Sequence, residues 1–340
     1  MPLPPRWVRR VVIAHGVVLG ALLLVSTLPL WAVVAVALTA LVPGRMRIPR
    51  LLWLLTFYLV WNSAALLCLF GLWLASGFGW KVRAPAFERA HYVLAGWFLR
   101  LLFTQARWVL RLQIDLEGDE PSGDLRVPLV VASRHGGPGD SFILIHLLIN
   151  YYAREPRIVL KDTLQWDPAI DVLLNRLPNR FIAPTPFDPT DRRPVHSLAA
   201  DVGELATGLD DNDAFVIFPE GGQFSSARRR RRIAHLRSQG RAEMAERALA
   251  MRHVMAPRPG GILAALQAAP QASVVFIAHT GLERLSTVAD LWRELPMDKR
   301  VVMRGWLVPV EEIPATDGER VEWLYIWWER IDQWIAEQQG

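Results

Sequence analysis

Two short strings in this chain set reactive side chains among glycines. The first is Ser133-Arg134-His135-Gly136-Gly137-Pro138-Gly139-Asp140. An apolar run at 127–132 leads into it and an apolar stretch at 142–149 follows, so it reads as the turn between a buried strand and a helix. Its glycines let the turn draw Asp140 back toward the His135 imidazole. A carboxylate there holds the proton on one ring nitrogen and steadies the charged ring, leaving the other nitrogen as a general base near neutral pH. The second string is Phe218-Pro219-Glu220-Gly221-Gly222, after the apolar run 214–218. It should place Glu220 at the same carboxyl edge of a sheet as His135, the edge at which open α/β sheets bind ligands.

Each string has a plainer reading. His-Gly-Gly-Pro-Gly also occurs as an oxyanion-hole loop in α/β-hydrolases, but that use requires a Gly-x-Ser-x-Gly elbow, which this sequence lacks. Asp140 could merely cap a helix, and a Pro-Glu-Gly turn alone is an ordinary connection.

The elements that must position these residues follow from the hydrophobic pattern. Strands are expected at 112–117, 128–133, 157–160, 179–183, 214–218, 273–278 and 301–308, separated by helices near 140–153, 163–176, 195–208, 226–251 and 260–269. Alternation of this kind predicts an α/β domain, a mostly parallel sheet flanked by helices, over 112–340. The segment 317–339 adds a helix with Val321, Leu324, Trp328, Ile331 and Ile335 at helical spacing, packing on the domain or on lipid.

Ahead of it lies a different composition. Residues 11–42 and 51–79 contain no Asp, Glu, Lys or Arg, which predicts a membrane-embedded helical region over 1–84. Each block as one straight helix would be roughly 45 Å long against a hydrocarbon core of about 30 Å. Ser26, Thr27 and Pro29 in the first, and Asn62 and Ser63 in the second, suggest breaks. The expectation is two helical hairpins, spanning or re-entrant. The basic clusters around Arg6, Arg9 and Arg10, around Arg45, Arg47 and Arg50, and around Lys81, Arg83 and Arg89 would then all face the cytoplasm with the α/β domain. Two long tilted helices are the alternative. Residues 85–111 interleave Tyr92, Val93, Trp97, Phe98, Leu101, Leu102 and Trp108 with Arg89, Arg100, Arg107 and Arg111, an interfacial amphipathic helix.

Composition excludes other classes. With 52% hydrophobic residues the chain is not disordered, and one cysteine, Cys68, rules out a disulfide scaffold. Lys+Arg 38 against Asp+Glu 33, in so apolar a chain, points to anionic lipid and not to nucleic acid. His91, His146, His196, His235, His253 and His279 have no metal-ligand spacing, so structural roles and no metal are expected.

Together the two strings resemble the glycerolipid acyltransferase family, the lysophosphatidic acid acyltransferases and their relatives. His135 and Asp140 match its His-x4-Asp motif and Phe218-Pro219-Glu220-Gly221 its Phe-Pro-Glu-Gly block. Lys161 resembles the lysine found between them, and His253 to Leu266, with Pro257-Arg258-Pro259-Gly260-Gly261, is similar to a segment of one branch. The resemblance implies His135 and Asp140 as the catalytic pair and a substrate-binding role for Phe218, Pro219, Glu220, Gly221 and Lys161. It implies an acyl-CoA or acyl-carrier-protein donor, a lysophospholipid acceptor, no cofactor and no acyl-enzyme. The expected activity is transfer of an acyl group to 1-acyl-glycerol-3-phosphate, giving phosphatidic acid. Alternatives are another lysophospholipid or glycolipid hydroxyl, or a non-catalytic membrane-shaping protein on the same fold.

Three positions depart from the family pattern. Gly222-Gln223 stands where Thr-Arg is usual, Pro184 where Arg180-Phe181-Ile182-Ala183 should be followed by arginine, and Ala278-His279 where a later strand ends Val-Pro. The missing arginines leave an acceptor phosphate without its usual partner. Arg180 and the run Arg228, Arg229, Arg230, Arg231 and Arg232 are candidates to replace them. Five consecutive helical positions sweep roughly 400°, so at least one must face the domain, an anion or the membrane.

Overall fold

The computed structural model describes residues 3–41, 46–118, 126–137, 139–182, 195–281, 292–293, 295–296 and 298–339, the side chains of 195–200 excepted. The chain forms two compact units. One comprises Met1–Leu112, Val159–Asp191 and Leu291–Asp298; the other comprises Gln113–Ile158, Arg192–Asp290 and Lys299–Gly340.

The second unit holds the expected strands β1 (Gln113–Glu117), β2 (Leu129–Ser133), β5 (Asp213–Ile217), β6 (Ser273–Thr280) and β7 (Arg300–Val308) and the start of β3 (Glu155–Lys161), whose residues from Val159 on belong to the first unit, as does β4 (Arg180–Ile182). Their order is β1-β7-β6-β2-β5-β3-β4. Every pair is parallel except β6 with β7, so the sheet is mixed and mostly parallel. The central strands are covered on both faces and read as continuous apolar runs: Val130, Val131, Ala132, Phe215, Val216, Val274 and Phe276 are fully buried.

Helices α4 (Asp140–Asn150), α6 (Val195–Ala206), α7 (Ser226–Ser238), α8 (Ala242–Ala250), α9 (Pro259–Ala268) and α10 (Asp317–Gln339) complete this unit. The single helix expected over 226–251 is two. Gly240 N–H donates to Arg237 O and Arg241 N–H to Leu236 O, the paired bonds of a glycine-terminated helix end. The tryptophan-rich α10 packs on the domain. Leu324, Trp328, Ile331 and Ile335 are buried, and Trp327 stacks on Phe276 of β6 with centroids 4.6 Å apart.

The first unit holds the apolar blocks, and here the expected hairpins are not found. A π-helical turn, Val8–Ile13, runs straight into α1 (Ala14–Thr39), and α2 (Arg47–Ala75) is equally continuous. The polar residues read as breaks are absorbed. Ser26 and Thr27 hydroxyls donate to Leu22 O and Leu23 O one turn back, as Ser63 does to Leu59 O. Pro29 forfeits one backbone bond in an otherwise intact helix. Asn62 instead reaches sideways, its Nδ2 donating to Asp167 Oδ2 at 2.7 Å.

Each of the two helices is long and apolar enough to cross a bilayer, over Val8–Thr39 and Arg47–Ala75, and most of their surface is exposed. They pack on one another. Within the same unit they are held by polar ties to the segment that follows β3, a 3₁₀ turn (Asp162–Trp166) and α5 (Pro168–Leu174). Arg9 Nη2 and Arg10 Nε each lie 3.0 Å from the buried Asp171 carboxylate, Tyr58 donates to Asp167 at 2.5 Å, and Arg176 donates to Leu69 O at 2.8 Å. Arg9 and Arg10, expected as a membrane-flanking cluster, are thus paired inside the unit. Helix α3 (Pro85–Leu110) buries His91, Tyr92, Ala95, Leu99 and Phe103 on one face and exposes Val93, Trp97, Leu101 and Trp108 with Arg89, Arg100 and Arg107 on the other.

Candidate active site

Strands β6, β2 and β5 are parallel neighbours, so their carboxyl ends open at one edge of the sheet. His135 lies two residues beyond β2, Glu220 three beyond β5, and His279 is the penultimate residue of β6. Ser133 is in register with Ile277, which brings His135 and His279 level two residues further on.

Asp140 opens α4 directly after Gly139, whose φ of 95° is one that side-chain-bearing residues rarely adopt. The turn points the carboxylate back at the imidazole: Asp140 Oδ2 lies 2.8 Å and Oδ1 3.1 Å from His135 Nδ1. Gly137 N–H donates to Oδ2 at 3.2 Å and Ser141 N–H to Oδ1 at 2.6 Å. Burial acts to raise the Asp140 pKa, but hydrogen bonds from His135 and His279 and the pull of their charges outweigh it and hold the carboxyl far below the usual range. The carboxylate is therefore ionised, His135 carries its proton on Nδ1, and Nε2 makes no hydrogen bond among the described residues. The His135 side chain is 16% exposed, against 2% for Asp140. An imidazole that solvent can reach is thus held by an anion that it cannot.

Glu220 is placed as the string suggested, but it faces inward. Its carboxylate accepts from Met255 N–H at 3.3 Å and, at a longer 3.4 Å, from His135 N–H. Burial pushes its pKa up to about 8, against the Arg134 charge and these two amides. Glu220 fixes the backbone of the His135 turn. Gly221, at φ 70°, closes the same turn with its N–H on Phe218 O, and the Phe218 ring lies 4.8 Å from that of His135. Pro219 offers its carbonyl to Arg258 N–H at 2.8 Å.

Sequence reasoning missed two residues here. His279, set aside as structural, places Nε2 3.3 Å from Asp140 Oδ2 and 3.2 Å from Arg134 O. Both neighbours are acceptors, so Nε2 carries a proton and donates to them. Arg134, 1% exposed, donates to His279 O at 2.5 Å and His253 O at 3.0 Å, tying the ends of β2 and β6 together. The signal for His279 was its position, next to last in a mostly apolar strand that pairs in parallel with β2.

The remaining candidates are dispersed. Lys161 ends β3 opposite Ile182 and Arg180 begins β4 opposite Val159, both in the first unit. Pro184 lies outside the described residues. Of the arginine run in α7, Arg229 and Arg232 turn toward the domain and the others outward. Arg229 caps α8, donating to Met251 O and Leu249 O at 2.7 Å each. Arg228 donates to Gln223 O at 3.0 Å, and Arg230 is exposed.

Residues 113–280, which hold this whole site, match the family model described as Acyltransferase. Among solved structures the chain is similar to the crystal structure of the 1-acyl-sn-glycerophosphate (LPA) acyltransferase PlsC from Thermotoga maritima. The two share 14% identity over 82% of this chain and 98% of that one, with a TM-score of 0.47. No curated protein matches the sequence.

Proposed function

The chain carries a domain of the Acyltransferase family over residues 113–280, and from that premise we propose a membrane-bound O-acyltransferase that moves a fatty acyl group from acyl-CoA or acyl carrier protein to the free hydroxyl of 1-acyl-glycerol-3-phosphate. The observation that carries this reading is the ionised Asp140 on His135 Nδ1, with Nε2 open at the carboxyl edge of the sheet.

The chemistry follows from that geometry. His135 Nε2 takes the acceptor hydroxyl proton as the oxygen attacks the thioester carbonyl. Asp140 stabilises the imidazolium that forms. The tetrahedral intermediate collapses with loss of thiolate, which takes the proton back from His135, and the ester is released. Thiolate leaves readily, so neither an acyl-enzyme nor a cofactor enters the scheme. Glu220 and the glycine turn it anchors hold His135 in place.

The two apolar helices and the exposed Trp97, Leu101 and Trp108 stripe of α3, with its arginines, suit a membrane surface. Tyr58, Asn62 and Leu69, spaced along α2, are all bonded to polar groups of the same unit. This favours insertion from one side of the bilayer, which we take as the cytoplasmic side. The test is a panel of acceptors offered with labelled acyl-CoA to purified protein: labelled phosphatidic acid is expected, label in another lipid reassigns the acceptor, and no transfer to any hydroxyl lipid overturns the reading.

A further inference from the structure

Beside the Glu220 turn lie two arginines that form no ion pair among the described residues. The backbone of Arg258 is pinned to the turn by its bond to Pro219 O at 2.8 Å. Its side chain lies against Gly221: a Cβ built there would stand 3.0 Å from Arg258 Nε, 3.1 Å from Cδ and 3.2 Å from Cζ. Glycine at 221 therefore makes room for the arginine as well as for the turn. The exposed Arg258 side chain has no hydrogen bond or ion pair among the described residues. Glu220, the acid next to it in the turn, is committed to the amides of His135 and Met255.

Arg232 backs it from α7. Its Nη2 donates to Pro257 O, the carbonyl just before Arg258, at 3.2 Å, and its Nε is buried without a partner. Burial, and after it the charge of Arg258, lower the Arg232 pKa. Other arginines of the same unit are matched: Arg157 with Asp213 at 2.6 Å, and Arg247 with Glu322 and Glu329 at 2.6 Å each. Two guanidiniums that repel one another, each partly desolvated by burial, form a poor arrangement unless an anion joins them. A guanidinium fork fits two oxygens of a phosphate.

We propose that Arg258, backed by Arg232, is a phosphate-binding site for the substrate of the His135 centre. The phosphate is the phosphomonoester of the acceptor lipid or a phosphate of the CoA donor. The site replaces the arginines this sequence lacks after Gly221 and at Pro184, and it rests on the acyl-transfer reading for the identity of its ligands.

Equilibrium binding to the full chain in detergent micelles tests this without requiring turnover. The probes are 1-oleoyl-glycerol-3-phosphate, uncharged 1-oleoyl-glycerol and CoA; the variants are Arg258→Ala, Arg258→Gln and Arg258→Lys. The Arg258 side chain holds no partner among the described residues, so thermal unfolding should be unchanged, and Gln carries the test if Ala unfolds. Removing the charge should weaken one phosphate-bearing probe by about tenfold or more, the worth of a charged hydrogen bond, and leave 1-oleoyl-glycerol unaffected. Lysine should restore part of the loss. Loss confined to the lysolipid assigns the acceptor, and loss confined to CoA the donor. Unchanged affinity for both phosphates overturns the site, even if acyl transfer is observed. Weakened phosphate binding in a protein that transfers no acyl group keeps the site and overturns the acyl-transfer reading.

Discussion

His279 Nε2 stands 3.3 Å from the same Asp140 oxygen that His135 Nδ1 meets at 2.8 Å. Asp140 is thus shared by two imidazoles, one opening to solvent and one buried at 2% exposure. Among the described residues His279 Nδ1 makes no hydrogen bond, so the ring engages its neighbours through Nε2 alone. The buried ring neutralises part of the carboxylate's hydrogen-bonding demand and fixes its orientation, so that Oδ2 remains aimed at the base.

Replacing His279 should therefore act through Asp140. His279→Ala is expected to lower kcat by about tenfold, the equivalent of one hydrogen bond to a charged group, with KM little changed. His279→Gln, whose amide can donate from a similar position, should recover much of it. An equal loss in both variants, or a loss confined to KM, would leave His279 a packing residue.

The pair itself should respond more sharply. His135→Ala is expected to remove turnover, and Asp140→Asn to cut kcat by about 10²–10⁴-fold, the usual range for losing general-base assistance. Both should associate with membranes as the unchanged protein does. Transfer by His135→Ala at near the normal rate would remove the general-base assignment.

Glu220 links the site to the stability of the fold. Its pKa rises from the model-peptide 4.5 to about 8, so the folded chain keeps a proton that the unfolded chain releases. That contribution is fully present below about pH 4.5 and is lost as pH climbs through about 8. Asp140, held far below its usual range, acts in the opposite sense: its stabilisation is present above the ordinary carboxylate range and is lost in strong acid. Thermal unfolding in detergent should show a slope between about pH 5 and 8 that Glu220→Gln flattens; an unaltered slope would refute it.

Asp171 is the anchor of the N-terminal helix. Asp171→Ala leaves the Arg9 guanidinium, 5% exposed, without its anion, and breaking such a buried pair costs about 3–5 kcal/mol. Proteolysis within the first helix should accelerate, and Asp171→Asn should be milder. Protease resistance equal to that of the unchanged chain would show the pair to be dispensable.

Topology can be tested at the junction of α1 and α2. The π-helical turn that leads into α1 is tied to Asp171 and the beginning of α2, through Arg47, to Leu295 O of the same unit. With Cys68 removed, a cysteine at Met46 should resist an impermeant reagent in intact cells and react after lysis. Labelling from outside would establish that the helices cross the bilayer.

The seven strands, the acid-and-glycine turns and the His135–Asp140 pair were legible in the sequence because each is local. Apolar runs ending in turn residues define a strand, and five residues of glycine-rich turn are enough to bring an acid back to a histidine. The continuity of α1 and α2 was not legible, since a serine or threonine in an apolar run looks the same whether it breaks a helix or bonds one turn back, and Asp167 and Asp171 lie more than a hundred residues from the groups they hold. Nor could the sequence distinguish among the five arginines of α7. Which of them caps a neighbouring helix and which backs Arg258 depends on the rotation of α7 against the sheet. His279 reaches Asp140 only because β6 pairs in parallel with β2 in one register, and pairing between segments so distant is decided by the packing of the whole sheet.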